Sequence, residues 1–508
     1  MNKQNLIVWV LFAVLCSFYI LLFIFIPVKS SISPDESQVV FFLDNYKNTG
    51  KFTWGSTLNE EFDTEFFRPR GTVEIRDNVY APLVSPHYLI ILSLFSTFIP
   101  LELFFLMVSL LGISFFFLLS REIYSTSKSI FLSGLVAIFP PFIFYSLSVS
   151  DIIFSTTILI ISLFFLFKYD RDKDTIYLAI SLIFFVLAVA IRIHNAIFFV
   201  FYLPFIIPNI RKILRKENIP LILISFLFIL MLLFVNYVTY NSFLTTGRVL
   251  TGDSLEERSI YSKLLQHGLN FSTIITAHDN YLLSYAAPFY LFAILSILML
   301  FLSKNRIFKK IKWPFIIVLI FSLLYYGSND TFFNFYRSVV QGSLSRYFLA
   351  LYLLMLLFLG LFIPKVKPNY TKSIIIFSII ISYILFSFPG NYFPAFLNHK
   401  QTSLEINEWA KQLPDNSVFL VKQFDKYVIP YGTVMLIYEE SDLIDYPLLE
   451  DLYPLIKPEE CLRLINELQS NGYDVYITTE RTSLIRQIEM EGYQLKRING
   501  AFYRIEKR

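Results

Sequence analysis

The sequence predicts a mainly α fold, a polytopic membrane helical bundle of about 11 transmembrane helices, followed by a small C-terminal extracytoplasmic α/β domain. Three observations predict it. Of 508 residues, 55% are hydrophobic and only 16% charged, far too apolar for a soluble chain of this size. The apolar residues gather in runs, many of them long enough to cross a hydrocarbon core of about 30 Å as helices. Lysine and arginine concentrate in every second connection between the runs, the pattern left by cytoplasmic loops.

The first run, "NLIVWVLFAVLCSFYILLFIFIP", exceeds the roughly 7 to 15 apolar residues of a signal peptide and has no small-residue cleavage site after it, so a retained helix is expected. Further runs lie near 101–120, 129–148, 151–168, 174–191, 195–208, 219–240, 284–303, 312–327, 345–364 and 372–388. Lys3 precedes the first. The alternate connections hold Arg121 and Lys128; Lys168, Arg171 and Lys173; Arg211, Lys212, Arg215 and Lys216; Lys304, Arg306, Lys309, Lys310 and Lys312; and Lys365, Lys367 and Lys372. The intervening short turns hold only Arg192, Arg337 and Arg346. The N-terminus is therefore expected in the cytoplasm and the tail outside, in a multi-pass protein of the cell membrane.

The apolar stretch "SPHYLIILSLFSTFIP", residues 85–100, offers only about 18 Å of helix between His87 and Pro100, too short to span. It is expected as an interfacial or re-entrant helix closing an external loop over 28–100. A second external loop covers 241–283. Both belong to a membrane domain over 1–388. Residues 389–508 form the tail domain, where "SVFLV" and "DVYITT" read as strands, "PEECLRLINELQSNGY" as a helix ending at Gly472, and Asn499-Gly500 as a hairpin turn. The membrane part carries 30 Lys/Arg against 21 Asp/Glu, and the tail 13 against 18. That basic excess is juxtamembrane, so no nucleic-acid partner is implied. Cys16 and Cys461 lie in different domains, so neither a disulfide framework nor a cysteine metal site is expected. Without a G-x-G-x-x-G or a Walker lysine, the tail is assigned no nucleotide chemistry.

Asp35 and Glu36 follow the first span by a few residues, at the outer interface where ionised carboxylates cost little. Asp151, in "FYSLSVSDIIF", opens a span on the same side, where an acid reads as the cap of its own helix. Arg192 with His194 in "AVAIRIHNAIF", and Arg346 with Tyr347 in "GSLSRYFLALYL", stand out because they run against the charge bias. A guanidinium binds phosphate through its planar fork, and each arginine alternatively reads as an interfacial snorkelling residue. His87, His194, His267 and His278 fall on external segments without an i, i+4 histidine partner. Ligation of a divalent metal by them with Asp35 and Asp151 stays open, and no cofactor is certain. Asn270 and Asn329 stand in N-x-S/T tripeptides.

The stretch Asp35, Glu36, "SQVVFFLDNYKNT", Gly50 and Trp54 resembles the first external loop of the GT-C superfamily of polyprenyl-phosphate-sugar glycosyltransferases, which includes protein O-mannosyltransferases and aminoarabinose transferases. Relatives set the glycine and tryptophan closer together. "APLVSPHYLIILSLF" is similar to the family's proline-rich entry into an interfacial helix, with a single Pro86 ahead of His87 and Tyr88 where relatives often have two prolines. The Arg346-Tyr347 step resembles a feature at a late external helix start. The resemblance implies an inverting glycosyltransferase that moves a monosaccharide from a polyprenyl-phosphate carrier to the hydroxyl of a protein, glycan or lipid acceptor on the extracytoplasmic face. It implies Asp35 as base, Glu36 as its neighbour, Asp151 as second acid and the Arg346-Tyr347 step at the substrate, to which the reading of the residues adds Arg192, His194 and His87. Two rival readings are an oligosaccharyltransferase, against which the tail lacks a Trp-Trp-Asp motif, and a transporter or flippase for a lipid-linked sugar, favoured by Pro140-Pro141 inside a span.

Overall fold

A computed structural model describes residues 3–26, 28, 34–64, 66–67, 72–76, 78–243, 287–327, 345–361, 392–414, 416–421, 428, 433–436, 458–478, 482–498 and 501–507. The run at 372–388, nearly all of the loop over 241–283, His267, His278, Asn270, Asn329 and Arg337 lie outside them. The chain divides into two compact units. One contains Met1–Pro27, Ile99–Phe234 and Leu264–Ala395, and the other Val28–Phe98, Val235–Lys263 and Phe396–Arg508.

The first unit is helical. Among the described residues four helices are long and apolar enough to cross a membrane, five if a bent pair counts as one. The bend is 61°, between Thr126–Ala137 and Pro140–Ser146. Pro140 and Pro141 cause it, because neither has an N–H to continue the helical ladder. The Ala137 carbonyl, which Pro141 cannot serve, instead accepts from the hydroxyl of fully buried Tyr19 at 3.0 Å, on the Lys3–Phe25 helix.

Asp151–Asp172 is the most buried of the long helices, packed between Leu101–Arg121 and Thr175–Ile191. Ser162 and Ser181 exchange hydroxyl-to-carbonyl bonds of 2.9 and 2.6 Å across the second of these interfaces, and both meet the Tyr202 hydroxyl. Thr175–Ile191 stops at Arg192, and the chain continues as a 3₁₀ helix, Ile193–Phe201. Ala287–Leu302, Arg306–Gly327 and Ser345–Leu359 are further helices of this unit.

The basic connections gather at one end of this bundle. Asp170 takes ammonium groups from Lys173 and Lys310 at 2.5 Å each, with Arg306 at 3.6 Å. Arg171 reaches Glu122, Lys212 donates to the Lys173 carbonyl, and Lys128 donates to the Gly360 carbonyl. Connections assigned to one side by charge therefore do meet on one side.

The second unit joins the first loop to the tail. Pro34–Thr49 is a helix ended by Gly50, whose φ of +71° is in the left-handed region that glycine enters without strain. A three-stranded antiparallel sheet follows, β1 (Trp54–Gly55), β2 (Thr72–Arg76) and β3 (Val79–Pro82) in the order β1-β3-β2. Trp54 packs edge-on against Phe41 of the helix at 5.7 Å. Pro86–Ser96 is a helix as expected; it buries His87, Tyr88, Leu89 and Leu92 and exposes Ile90, Leu94 and Phe95.

The tail's sheet has five strands: β4 (Ser417–Val421), β5 (Thr433–Leu436), β6 (Asp474–Thr478), β7 (Tyr493–Arg497) and β8 (Phe502–Lys507), ordered β5-β4-β6-β8-β7. β5, β4 and β6 are parallel, and β8 and β7 antiparallel. Side chains alternate across β4. Val418 and Leu420 join Leu464, Leu468, Leu484 and Ile488 of the helices Pro458–Ser470 and Thr482–Met490, together with Leu58, Phe66 and Phe67 of the first loop. Phe419 and Val421 join Ile406 and Ala410 of the helix Tyr392–Ala410, with Phe41 of the first loop packed against them. Phe67 also bridges Met435 on the edge strand β5.

Candidate active site

In the loop-tail unit, Pro34 opens its helix with a pre-set φ and no N–H to leave unpaired. Asp35 and Glu36 follow in the first turn, where the positive end of the helix dipole favours carboxylates. The side chain of Asp35 is outside those described. Glu36 is 2% exposed, and its Oε2 stands 3.6 Å from the ammonium of Lys400. Lys400 Nζ also donates to the Val28 carbonyl at 3.2 Å. Burial pushes the Lys400 pKa below its ordinary value, and the adjacent Glu36 carboxylate opposes the shift.

Lys400 was not among the residues expected from sequence. Its signal was available, since it stands on the buried stripe Lys400, Ser403, Ile406, Asn407 and Ala410 of an otherwise amphipathic helix. The loop helix is held from a second direction by Gln38, whose Oε1 accepts from the backbone N–H groups of Leu83 and Val84 at 2.8 and 3.2 Å. Directly beyond, Ser85 Oγ and His87 Nδ1 are 3.1 Å apart at the start of Pro86–Ser96. His87 is buried there rather than placed on an exposed interfacial face.

In the membrane unit the structure brings together two of the expected residues. Arg192 Nη1 donates to Asp151 Oδ1 at 2.5 Å, with both side chains buried. The sequence allowed Asp151 to be the cap of its own helix. Ser150 takes that position instead, and Asp151 is the first helical residue. Arg192 ends its helix in an extended conformation, which lets it reach across to Asp151. His194 is half-buried two residues further on, in the 3₁₀ helix. Arg346 and Tyr347 lie in the first turn of Ser345–Leu359, and their side chains are outside those described. The far end of that helix meets Tyr124 through the Leu357 carbonyl, beside the basic connections. Its first turn therefore lies toward the bundle end that carries Asp151 and Arg192. Among the described residues, no three His, Cys, Asp or Glu side chains come together as a metal site.

No protein-family model matches the chain, and no curated protein does. Solved structures do. The chain is similar to ArnT from Cupriavidus metallidurans bound to undecaprenyl phosphate, with a TM-score of 0.60 and 10% identity over 99% of this chain and 98% of that one. The apo state of the same protein gives 0.57 and 10% identity over 98% and 97%. It is also similar to the archaeal oligosaccharyltransferase AglB from Archaeoglobus fulgidus in complex with an inhibitory peptide and a dolichol-phosphate, at 0.51 and 11% identity over 99% of this chain and 74% of that one. At such identities the likeness is one of fold.

Proposed function

We propose that this membrane protein, whose fold is that of the GT-C superfamily, is an inverting glycosyltransferase that moves a monosaccharide from a polyprenyl phosphate to an acceptor hydroxyl on the extracytoplasmic face. One observation carries the reading. The likeness to a protein bound to undecaprenyl phosphate runs through both chains almost entirely, so it includes the first loop and the tail as well as the bundle.

The departing lipid phosphate is a good leaving group, so the transfer needs a base and a place for negative charge. Asp35 accepts the proton of the acceptor hydroxyl while that oxygen attacks the anomeric carbon from the side opposite the phosphate. The bond from carbon to phosphate oxygen breaks, its electron pair stays with the phosphate, and the configuration inverts. Glu36 is the poorer base, because an acceptor hydroxyl cannot readily reach a buried carboxylate beside an ammonium. Arg346 and Tyr347 receive the phosphate. Asp151 orients Arg192, fixing one edge of the guanidinium.

The test uses purified protein in lipid with radiolabelled polyprenyl-phosphate sugars, comparing wild type with Asp35→Asn. Loss of a positioned base lowers kcat by roughly 10²- to 10⁴-fold; undiminished transfer removes Asp35 from the role. A second reading, transfer of an oligosaccharide to asparagine, draws on the likeness to AglB. Transfer only from an oligosaccharide carrier to an asparagine peptide would establish it in place of the first. Repeating the assay with a chelator decides whether a divalent ion takes part.

A further inference from the structure

Lys400 belongs to the tail, yet its ammonium lies against both ends of the segment that carries the proposed base. On one side is the carbonyl of Val28, where the chain leaves the first helix, and on the other is Glu36, the immediate neighbour of Asp35. All three residues are buried, with Lys400 1%, Glu36 2% and Val28 0% exposed. We propose that Lys400 is a positioning residue, and that this clamp fixes the first turn of the Pro34–Thr49 helix so that Asp35 meets the acceptor. The proposal rests on the reading of Asp35 as base.

Stability alone does not account for the pair. Removing an ammonium and a carboxylate from water carries a desolvation penalty of several kcal/mol per ion, and well-packed apolar residues of similar volume often serve a fold as well or better. The pair offers what methionine or leucine cannot, a directional hold on a backbone carbonyl and a side chain at once. Lys400 also loses its long side chain's rotamer freedom on burial, a further cost that makes sense where position matters. Gln38, one turn along, anchors the same helix to Leu83 and Val84, so the turn that carries Asp35 is held from two elements. Geometry at this turn bears directly on rate, since displacing a reacting group by about 1 Å can reduce it 10²-fold.

Two variants separate positioning from simple charge balance. Lys400→Met alone takes the ammonium from beside the buried Glu36 carboxylate and weakens folding, so the informative protein is the Lys400→Met, Glu36→Met double variant, in which both members of the pair are removed. The expected result is a thermal midpoint restored to that of wild type or above, with kcat still lowered by roughly 10- to 100-fold and the donor KM unchanged. Hydrogen exchange of the amides over 28–40 in the same variant should quicken. A double variant that regains both midpoint and kcat would overturn the proposal and leave Lys400 as a counter-ion. If the wild type transfers sugar from no donor, the proposed function fails. The clamp is then judged by exchange: faster exchange over 28–40 supports it, and unaltered protection rejects it.

Discussion

Asp151 stands at the first position of its helix, where an acid is favoured by the dipole, and its carboxylate meets Arg192 rather than capping the helix. Because both side chains are buried, removing Arg192 leaves the Asp151 carboxylate buried without that guanidinium. Arg192→Met should therefore destabilise the membrane unit by about 3 to 5 kcal/mol, and Asp151→Leu added to it should recover most of that. Thermal unfolding in detergent reads both, and additive losses would mean that the two residues do not act as a pair. Lys400 gives a pH prediction with two signs. Its folded pKa is lowered, so just below the ordinary lysine value of about 10.4 the unfolded chain holds a proton that the folded one has released. Through this group stability rises with pH across that window, while the ammonium that clamps Val28 and Glu36 is lost. Against the double methionine variant as reference, wild type should gain stability and lose its advantage in kcat over the same interval. The two kinds of residue were unequally legible. Arg192 and Arg346 show in sequence because they violate a charge rule, and Asp151 because it opens a span. Lys400 shows no partner in sequence, since Glu36 and Val28 are at the other end of the chain and only the fold joins them.

Two glycines on neighbouring helices illustrate how element packing decides the sign of one substitution. A methyl added at Gly112 would stand 2.7 Å from Thr157 Oγ1 and 3.2 Å from a ring carbon of Phe142, whereas at Gly134 it would meet nothing within 4 Å. Alanine at either position gains about 1 kcal/mol of helix propensity. At Gly112 overpacking costs about 1 to 3 kcal/mol and outweighs that gain, because Leu101–Arg121 and Asp151–Asp172 would have to separate. Gly112→Ala should lower the thermal midpoint and Gly134→Ala should hold or raise it; equal shifts at both would show that the two helices are not in close contact at Gly112. Element positions in the bundle were legible because apolar runs and basic connections are both strong, local signals. The ion pairs around Asp170 are their three-dimensional consequence. Elements whose pattern is short or mixed were not found. The helix Tyr392–Ala410 was missed because Lys400, Ser403 and Asn407 put polar residues on its buried stripe, and the 3₁₀ helix Ile193–Phe201 because an apolar run does not distinguish it from an α-helix.

At the scale of the molecule, the first loop and the tail are one body built from segments hundreds of residues apart in sequence. Composition changes past Pro389 but gives no sign of what the tail folds against, because the apolar residues of the loop look like those of any interfacial segment. The structure places loop residues on both faces of the tail's sheet, Phe41 beside Ile406 and Trp409 on one, and Leu58, Phe66 and Phe67 beside Leu464 and Ile488 on the other. A loop held in this way carries the Asp35 turn on a helix that packs into the tail's core. Phe67 is the most direct test, being fully buried, in the shared core and bridged to Met435 on the sheet's edge. Phe67→Ala should remove about 3 to 5 kcal/mol from this unit. Because loop and tail share that core, they should lose protection together. Limited proteolysis along a temperature series should show cleavage within 40–64 and within 458–498 rising at one midpoint, shifted down by the same amount in the variant. Two separate midpoints, with only the loop's moving, would mean that the loop folds on the tail without being part of it, and the clamp at Lys400 would then lose its rigid support.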